Sequence, residues 1–263
     1  MREPKNGSET NEVTRLRAAY LDLVRDSLVG RLNRDPPLQE HLPGYDDTHR
    51  LNGWDWPSAA PSMIGWRRMS HLRNECERVL LEGIPGDLLE AGVWRGGASI
   101  MMRAVLAAHG VRDRKVIAAD TFAGMPAGTD PDDTAAFLRA NPIFAVTLDE
   151  VKGAFYRYGL LDDIVVFLKG DFAVTLADAP LERLAIVRLD GDTYASARDT
   201  LHGVYDKLSP GGSIILDDYY LFGDNKRAID EFRAEREIAD PIVRIDDYGG
   251  YWIRDSRSRA RRR

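Results

Sequence analysis

The chain has little of what secreted, membrane-spanning and nucleic-acid-binding proteins depend on. A single cysteine among 263 residues, Cys76, excludes an internal disulfide and is typical of a reducing compartment. No apolar run approaches the roughly 18 residues of a membrane span, and the polar stretch Met1–Asn11 does not resemble a signal peptide. The net charge of −6 leaves no basic excess for general nucleic-acid binding. We therefore expect a cytoplasmic protein that binds neither membranes nor nucleic acid.

Histidine is scarce as well. Of the five histidines, His71, His109 and His202 fall on predicted helices without the spacing of metal ligands. Packing and solvation are therefore their expected roles. The chemistry must come from other groups, and the chain holds 42 aspartates and glutamates.

Short apolar runs alternate with helical patterns from residue 86 to residue 254. This alternation predicts an α/β fold with a doubly wound, Rossmann-like sheet of seven strands, the last two forming a hairpin. Ligands should then lie beyond the carboxyl ends of the parallel strands. The predicted strands are residues 87–91, 115–119, 164–169, 184–189, 213–216, 242–245 and 251–254.

Three segments lie outside this pattern. Residues 1–85 combine helical periodicity with an irregular stretch rich in Pro, Gly, Asp and Trp, which predicts a helical extension. The insertion at residues 124–158 follows the second strand, where it could form a lid over an acceptor. Residues 255–263 form a basic tail, for which a disordered end is the expectation.

Four acids gather at the ends of two predicted strands. Asp190 and Asp192 follow one strand, and Asp217 and Asp218 follow the next. Crowded carboxylates repel one another unless they share a proton or a cation, and hard oxygen ligands suit Mg²⁺. The pattern favours a metal-assisted enzyme over the alternative, a set of helix caps and surface acids.

The turn after the first strand, Leu89–Gly97, is rich in glycine and indicates either a nucleotide site or a tight structural turn. A dinucleotide fingerprint requires G-x-G-x-x-G, but Trp94 occupies the place of the middle glycine, so a diphosphate would be crowded. This disfavours an NAD-dependent oxidoreductase. S-adenosylmethionine (SAM) carries no phosphate and would fit. Glu90 would then bind its ammonium group or order the loop that does.

Two further strand ends are candidate nucleoside contacts. Asp120 ends the second strand, where it would accept the ribose hydroxyls or cap a helix, and Thr121-Phe122 would place an aromatic edge near the base. At the end of the third strand, Gly170-Asp171-Phe172 would contact the adenine or form a glycine turn with a capping aspartate. The sequence leaves both alternatives open.

Together these motifs resemble the macrocin O-methyltransferase family, whose members methylate sugar hydroxyls on glycosylated antibiotics, including macrolides and aminocoumarins. Within it, the chain is similar to the aminocoumarin noviose 4-O-methyltransferases through Ser27–Gly30 and Asp35–Pro37. The motifs that carry the resemblance are Ser62-Met63-Ile64-Gly65, Leu89–Gly97, Ala119–Gly124, Arg188-Leu189-Asp190-Gly191-Asp192 and Asp217-Asp218-Tyr219.

The resemblance implies a SAM- and Mg²⁺-dependent homodimer that acts on a glycosylated small molecule. It implies Asp190, Asp217 and Asp218 as metal ligands and Asp192 as the general base, although Asp190 and Asp192 could exchange roles. A phenolic or catechol-type O-methyltransferase is the alternative. The cofactor-binding residues implied are Ser62, Met63, Glu90, Ala91, Gly92, Val93, Trp94, Gly96, Ser99, Asp120, Thr121, Phe122, Gly170, Asp171, Phe172 and Asp190.

Overall fold

The computed structural model describes residues 6–125 and 133–255. Within these ranges no helix combines the length and apolarity needed to cross a membrane. The helices are α1 (Asn6–Leu28), α2 (Asp47–Asn52), α3 (Gly65–Leu81), α4 (Gly97–Ala108), α5 (Asp133–Ala140), α6 (Leu148–Arg157), α7 (Phe172–Asp178), α8 (Tyr194–Val204) and α9 (Gly223–Glu235). The strands are β1 (Asp87–Ala91), β2 (Val116–Asp120), β3 (Val165–Lys169), β4 (Leu184–Leu189), β5 (Leu208–Leu216), β6 (Val243–Arg244) and β7 (Gly250–Ile253).

The seven strands form one sheet in the order β3-β2-β1-β4-β5-β7-β6. The first five are parallel, and β7 pairs antiparallel with both β5 and β6. The predicted α/β fold with its closing hairpin is confirmed. The order reverses between β1 and β4, and a doubly wound sheet binds its ligands at such a switch point.

The fifth strand is longer than predicted. It was expected to begin at residue 213, but β5 begins at Leu208 and includes Ser209–Gly212. The register against β4 shifts there, because Leu184 pairs with Leu208 whereas Ile186 pairs with Ser213. The hydroxyl of Ser209 also donates to the carbonyl of Pro85 at 2.6 Å. The glycine-rich stretch is therefore a bulge within the strand, a common place for glycine in a sheet.

The sheet is covered on both faces. One core joins the sheet to α1, α3, α4 and α6 through buried Leu, Ile, Met and Phe side chains. The other joins it to α7, α8 and α9, with Trp252 of β7 fully buried. Strands buried on both faces read as continuous apolar runs, which explains why their positions could be predicted.

A buried arginine orders the irregular N-terminal segment. The guanidinium of Arg50 donates to the carboxylate of Asp55 at 2.6 Å and to the carbonyls of Val29 and Asp35 at 2.7 Å each. Asp35 in turn accepts N–H bonds from Ala59 and Ala60. These contacts connect α2 to the irregular stretches on both sides of it within residues 29–60.

The insertion after β2 has two parts with different environments. In α6, Phe155 is fully buried and packs against Phe167 of β3, with ring centroids 5.6 Å apart. Helix α6 is therefore part of the core, and the candidate cover is restricted to α5 and the 3₁₀ turn Pro142–Phe144. Residues 126–132 of the expected lid and most of the basic tail lie outside the described residues.

Cys76 gives a direct test of core packing. Its side chain is 0% exposed on α3, and burial raises the pKa of its thiol far above the usual range. We expect no reaction with a thiol reagent such as Ellman's reagent in the folded protein and one thiol per chain after unfolding in urea. Rapid reaction of the native protein would contradict this packing.

Candidate active site

A cavity of about 480 Å³ opens at the carboxyl edge of the sheet, at the switch point between β1 and β4. Its floor is formed by the residues that follow β1, β2, β4 and β5. Its walls come from the N-terminal segment, including Trp54 and Trp56, and from the insertion, including Phe137 and Phe144. The predicted edge of the sheet therefore holds a cavity that the predicted acids line.

Three of the four predicted acids converge in this cavity. One carboxylate oxygen each from Asp190, Asp192 and Asp218 lies within 4.8 Å of the other two. Asp192 adopts a left-handed backbone conformation with φ of 64°, which is uncommon for a residue other than glycine. Its buried Oδ1 has no hydrogen-bond partner among the described residues. A buried carboxylate oxygen left in this state is costly, and such groups mark functional sites.

The proton affinities of these acids reflect their crowding. Burial raises the pKa of Asp192 well above its usual range, and the nearby carboxylates of Asp218 and Asp190 raise it further. Burial also raises the pKa of Asp190, although the Arg188 guanidinium acts in the opposite direction. The pKa of Asp218 is raised to about 6 by burial and by its neighbour Asp217. Arg188 and Arg68 offset only part of the negative charge of these acids, so the site would favour a bound cation.

Arg188 lies beneath the acids and links three strands. Its side chain is 1% exposed and donates to Glu90 at 2.7 Å, to Asp190 at 2.6 Å and to Asp217 at 2.5 Å. Glu90 on β1 is the register partner of Arg188 on β4. Glu90 also accepts the hydroxyl of Ser99 on α4, and burial raises its pKa to about 7.

Asp217 is placed differently from its neighbour. Both of its carboxylate oxygens accept guanidinium N–H groups, Oδ1 from Arg188 and Oδ2 from Arg68, each at 2.5 Å. The family resemblance implied Asp190, Asp217 and Asp218 as the metal ligands, whereas the structure brings Asp192 rather than Asp217 together with the other two. Asp217 would have to share an oxygen with an arginine to bind a cation, and its ligand role stays a prediction.

The glycine turn crosses the floor of the cavity. Gly92 has φ of 94°, and a Cβ there would lie 2.0 Å from the carbonyl oxygen of Asp190. Asp120 accepts the N–H of Val93 at 2.7 Å through Oδ2 and that of Phe122 at 2.8 Å through Oδ1. Asp120 therefore ties the end of β2 to the turn after β1. Among the described residues no helix begins directly after Asp120, so Asp120 is not a helix N-cap.

The expected cofactor residues divide into two groups. Seven do not line the cavity: Ser62, Glu90, Ala91, Gly96, Ser99, Phe122 and Gly170. Nine line it: Met63, Gly92, Val93, Trp94, Asp120, Thr121, Asp171, Phe172 and Asp190.

Phe122 differs most from its expected position. Its ring is buried against Phe167, 6.2 Å between centroids, because φ of 51° turns it into the core rather than toward a base. Asp171 lines the cavity and also caps α7 by accepting the N–H of Ala173 at 2.9 Å. The position of Asp171 is therefore compatible both with a contact to adenine and with a role as a helix cap.

Trp94 connects the turn to the cavity wall. Its indole N–H donates to the carbonyl of Ile143 at 2.9 Å, and Arg95 stacks over its ring at 4.2 Å. Arg95 also donates to carbonyls of the N-terminal segment, including that of Ala60 at 3.2 Å. Both sides of the cavity are thus fastened to this turn.

Arg188 and Arg68 are the residues that sequence reasoning missed. Arg188 interrupts the apolar strand Leu184–Leu189, and a charge within a buried run is a signal that it has partners. Arg68 carries no such signal, since it lies in an ordinary amphipathic helix.

The chain matches the macrocin-O-methyltransferase (TylF) family over residues 8–254. The chain belongs to this family. Membership confirms the predicted enzyme class, a SAM-dependent O-methyltransferase.

Individual relatives are similar along nearly their whole length. Demethyldecarbamoylnovobiocin O-methyltransferase of Streptomyces niveus is 45% identical over 258 residues, which cover 95% of this chain and 97% of the relative. A tetracenomycin 4'-O-methyltransferase of Streptomyces olivaceus is 47% identical over 242 residues, 90% of this chain and 92% of the relative. The solved structure of the O-methyltransferase NovP matches with a TM-score of 0.87 at 44% identity, covering 91% of this chain and 99% of NovP.

Gly92 provides a test of the turn geometry. We expect Gly92→Ala to lower the free energy of unfolding by more than about 3 kcal/mol, because its Cβ would overlap a backbone oxygen as well as strain φ. Gly110→Ala is the matched control, since φ there is 68° and the space is open; it should cost about 1 to 2 kcal/mol. Equal losses in urea unfolding would show that the close approach is unimportant.

Proposed function

We propose that this enzyme transfers the methyl group of SAM to a hydroxyl on the sugar of a glycosylated small molecule, with the help of a divalent cation such as Mg²⁺. The observation that carries the proposal is the convergence of Asp190, Asp192 and Asp218 beside the glycine turn. The relative from Streptomyces olivaceus is named for a 2,3-dimethoxy-alpha-L-rhamnosyl tetracenomycin, which supports a glycosylated acceptor.

The glycine turn after β1 and the end of β2 are suited to bind SAM. When bound, SAM supplies a methyl group on a positively charged sulfur. Gly92 lets the backbone approach a ligand, and the Asp120 carboxylate lies on the cavity where it would accept ribose hydroxyls. Glu90 and Ser99 lie behind this surface and support it from below. This arrangement favours the loop-ordering alternative for Glu90.

The acids fit a cation. Ligand oxygens that share one Mg²⁺ or Ca²⁺ at 2.0–2.6 Å lie within about 4 to 5 Å of each other, the spacing of this cluster. The unpartnered oxygen of Asp192 and the raised pKa values indicate the same deficit of positive charge. We assign the cation to Asp190 and Asp218, which belong to both the predicted ligand set and the observed cluster. A bound cation would lower the pKa of an acceptor hydroxyl.

The proton of that hydroxyl needs an acceptor. A sugar hydroxyl has a pKa far above neutrality, so it attacks a methyl sulfonium slowly unless its proton is removed. Asp192 is suited to this role, because its Oδ1 is not engaged by any described residue. Asp217 is not suited, since both oxygens already accept guanidinium N–H groups.

The walls of the cavity would bind the rest of the acceptor. Trp56, Phe137 and Phe144 form an aromatic cluster with ring centroids 5.4 to 6.4 Å apart. Trp54 and Trp56 line the cavity, whereas Trp66 packs on α1, where its indole donates to Asp26. We propose that residues 133–144 cover the acceptor. The expected homodimer also stays a prediction.

Methyl transfer from labelled SAM tests the reaction. We expect label in a desmethyl rhamnosyl glycoside or in demethyldecarbamoylnovobiocin when Mg²⁺ is present, and none with EDTA. Methylation of a free catechol but of neither glycoside would favour the alternative, a phenolic O-methyltransferase. Transfer that persists in EDTA would refute the cation.

Asp192→Asn tests the division of roles. We expect it to bind Mn²⁺ within about threefold of the wild-type affinity while kcat falls by about 10² or more, because the amide cannot accept the proton. Asp218→Asn should instead weaken Mn²⁺ binding by tenfold or more, and Asp217→Asn measured alongside decides whether Asp217 is a ligand. If Asp192→Asn loses the metal and high Mg²⁺ restores its activity, Asp192 is a ligand and not the base.

A further inference from the structure

Arg68, on the first turn of α3, lies against the acid pair at the end of β5. Its Nη1 donates to Asp217 Oδ2 at 2.5 Å and is 3.4 Å from Asp218 Oδ1. Its Nε is 3.3 Å from Asp246 Oδ2, on the loop before β7. The side chain is 6% exposed and still borders the cavity. A guanidinium from the helical extension thus reaches the site across the sheet edge.

The surroundings of Arg68 are shaped to hold it. A Cβ on Gly53 would lie 2.6 Å from its Nη2, and a Cβ on Gly249 would lie 3.0 Å from its Cδ. The Tyr248 ring is 5.4 Å from its Cζ. Two glycines from distant parts of the chain thus leave room for one side chain. Such packing fixes the guanidinium where it is.

The charges around the site are unequal. Six carboxylates are involved, those of Glu90, Asp190, Asp192, Asp217, Asp218 and Asp246. Two guanidinium groups, those of Arg68 and Arg188, contact five of them. Arg188 is directed toward Glu90, Asp190 and Asp217. Arg68 is therefore the counter-charge on the side of Asp218, one of the two acids assigned to the cation.

We infer that Arg68 is a positioning residue that acts as the internal counter-charge of the Asp217–Asp218 pair and limits how tightly the cavity holds a divalent cation. This inference rests on the proposed cation site. Arg68 keeps the two adjacent carboxylates ordered when no cation is present, and it repels a cation when one binds. Removing its charge should strengthen cation binding and leave Asp217 and Asp218 less well ordered, which would slow the reaction.

The effect should be large, because a unit charge within a few ångströms of a buried cation changes its affinity by a factor on the order of ten or more. We expect Arg68→Met to bind Mn²⁺ at least tenfold more tightly than the wild type and to lose at least tenfold in kcat. Arg68→Lys keeps the charge, so its Mn²⁺ affinity should stay within threefold. Free Mn²⁺ measured by electron paramagnetic resonance, without SAM or acceptor, gives these affinities independently of activity.

Arg50→Met is the matched control. Arg50 is also a buried arginine of the N-terminal segment, but its partners are Asp55 and backbone carbonyls rather than the site. Arg50→Met should lower thermal stability and leave Mn²⁺ affinity within threefold. If Arg68→Met only destabilised the fold, it would behave like Arg50→Met, with lower thermal stability and an unchanged Mn²⁺ affinity. Tighter Mn²⁺ binding by Arg68→Met is expected only if Arg68 acts as a counter-charge.

The Mn²⁺ affinities distinguish failure of the proposed cation site from failure of the counter-charge inference. If the wild-type protein binds no Mn²⁺, the proposed cation site is wrong. If it binds Mn²⁺ and Arg68→Met binds it equally or more weakly, the counter-charge inference is wrong while the site stands. Should Arg68→Met fail to fold, Arg68→Gln removes the charge but keeps a donor toward Asp217, and the same tighter binding is expected.

Discussion

The architecture of the site depends on one buried charge, the guanidinium of Arg188. Transferring such a group from water into a strand interior is expensive unless carboxylates accept its N–H groups. Glu90, Asp190 and Asp217 do so from the ends of β1, β4 and β5. Because the parallel register places Glu90 beside Arg188, the sheet itself supplies this pairing. The ends of three strands are thereby fixed relative to one another before any ligand binds.

This compensation also divides the acids by function. Acids whose oxygens are occupied by arginine are held in one orientation and have little capacity left for protons or ligands, as Asp217 shows. Acids with spare oxygens and little opposing charge, above all Asp192, retain that capacity. Neighbouring carboxylates of identical chemistry can therefore take structural and chemical roles, because their partners differ. Because arginines hold the first group of acids in place, the second group can lie close together.

The fold was largely predictable because its signals are local. Buried parallel strands appear as short apolar runs and helices show their own period, so six of the seven strand positions fall within about two residues of those found. Only β5 differs by more, because it begins at Leu208 rather than at residue 213. The side-chain partners were not predictable. Arg68 contacts Asp217 across 149 residues of sequence, and nothing near either residue specifies the other. Phe122 likewise faces the core because of a backbone angle that no residue pattern reports. The predicted strand ends indicate where the acids gather. Only the tertiary contacts show which carboxylate oxygens arginine already occupies and which could still bind a proton or a cation.

The acids and the cavity walls belong to different parts of the chain, so the choice of acceptor can change separately from the acids. The acids proposed to carry the chemistry lie at strand ends that a buried ion network connects, whereas the walls that would contact the acceptor come from the N-terminal segment and the insertion. Those walls keep large apolar side chains partly in water, with Trp54 40% and Phe137 46% exposed beside the cavity. Exposed apolar surface that lines a concavity is the usual mark of a binding surface. Substitutions there can change the shape of the cavity without disturbing Arg188 or the acids. Since Trp94 and Arg95 connect both walls to the glycine turn that we propose binds SAM, acceptor contacts can vary while the walls stay attached to that turn.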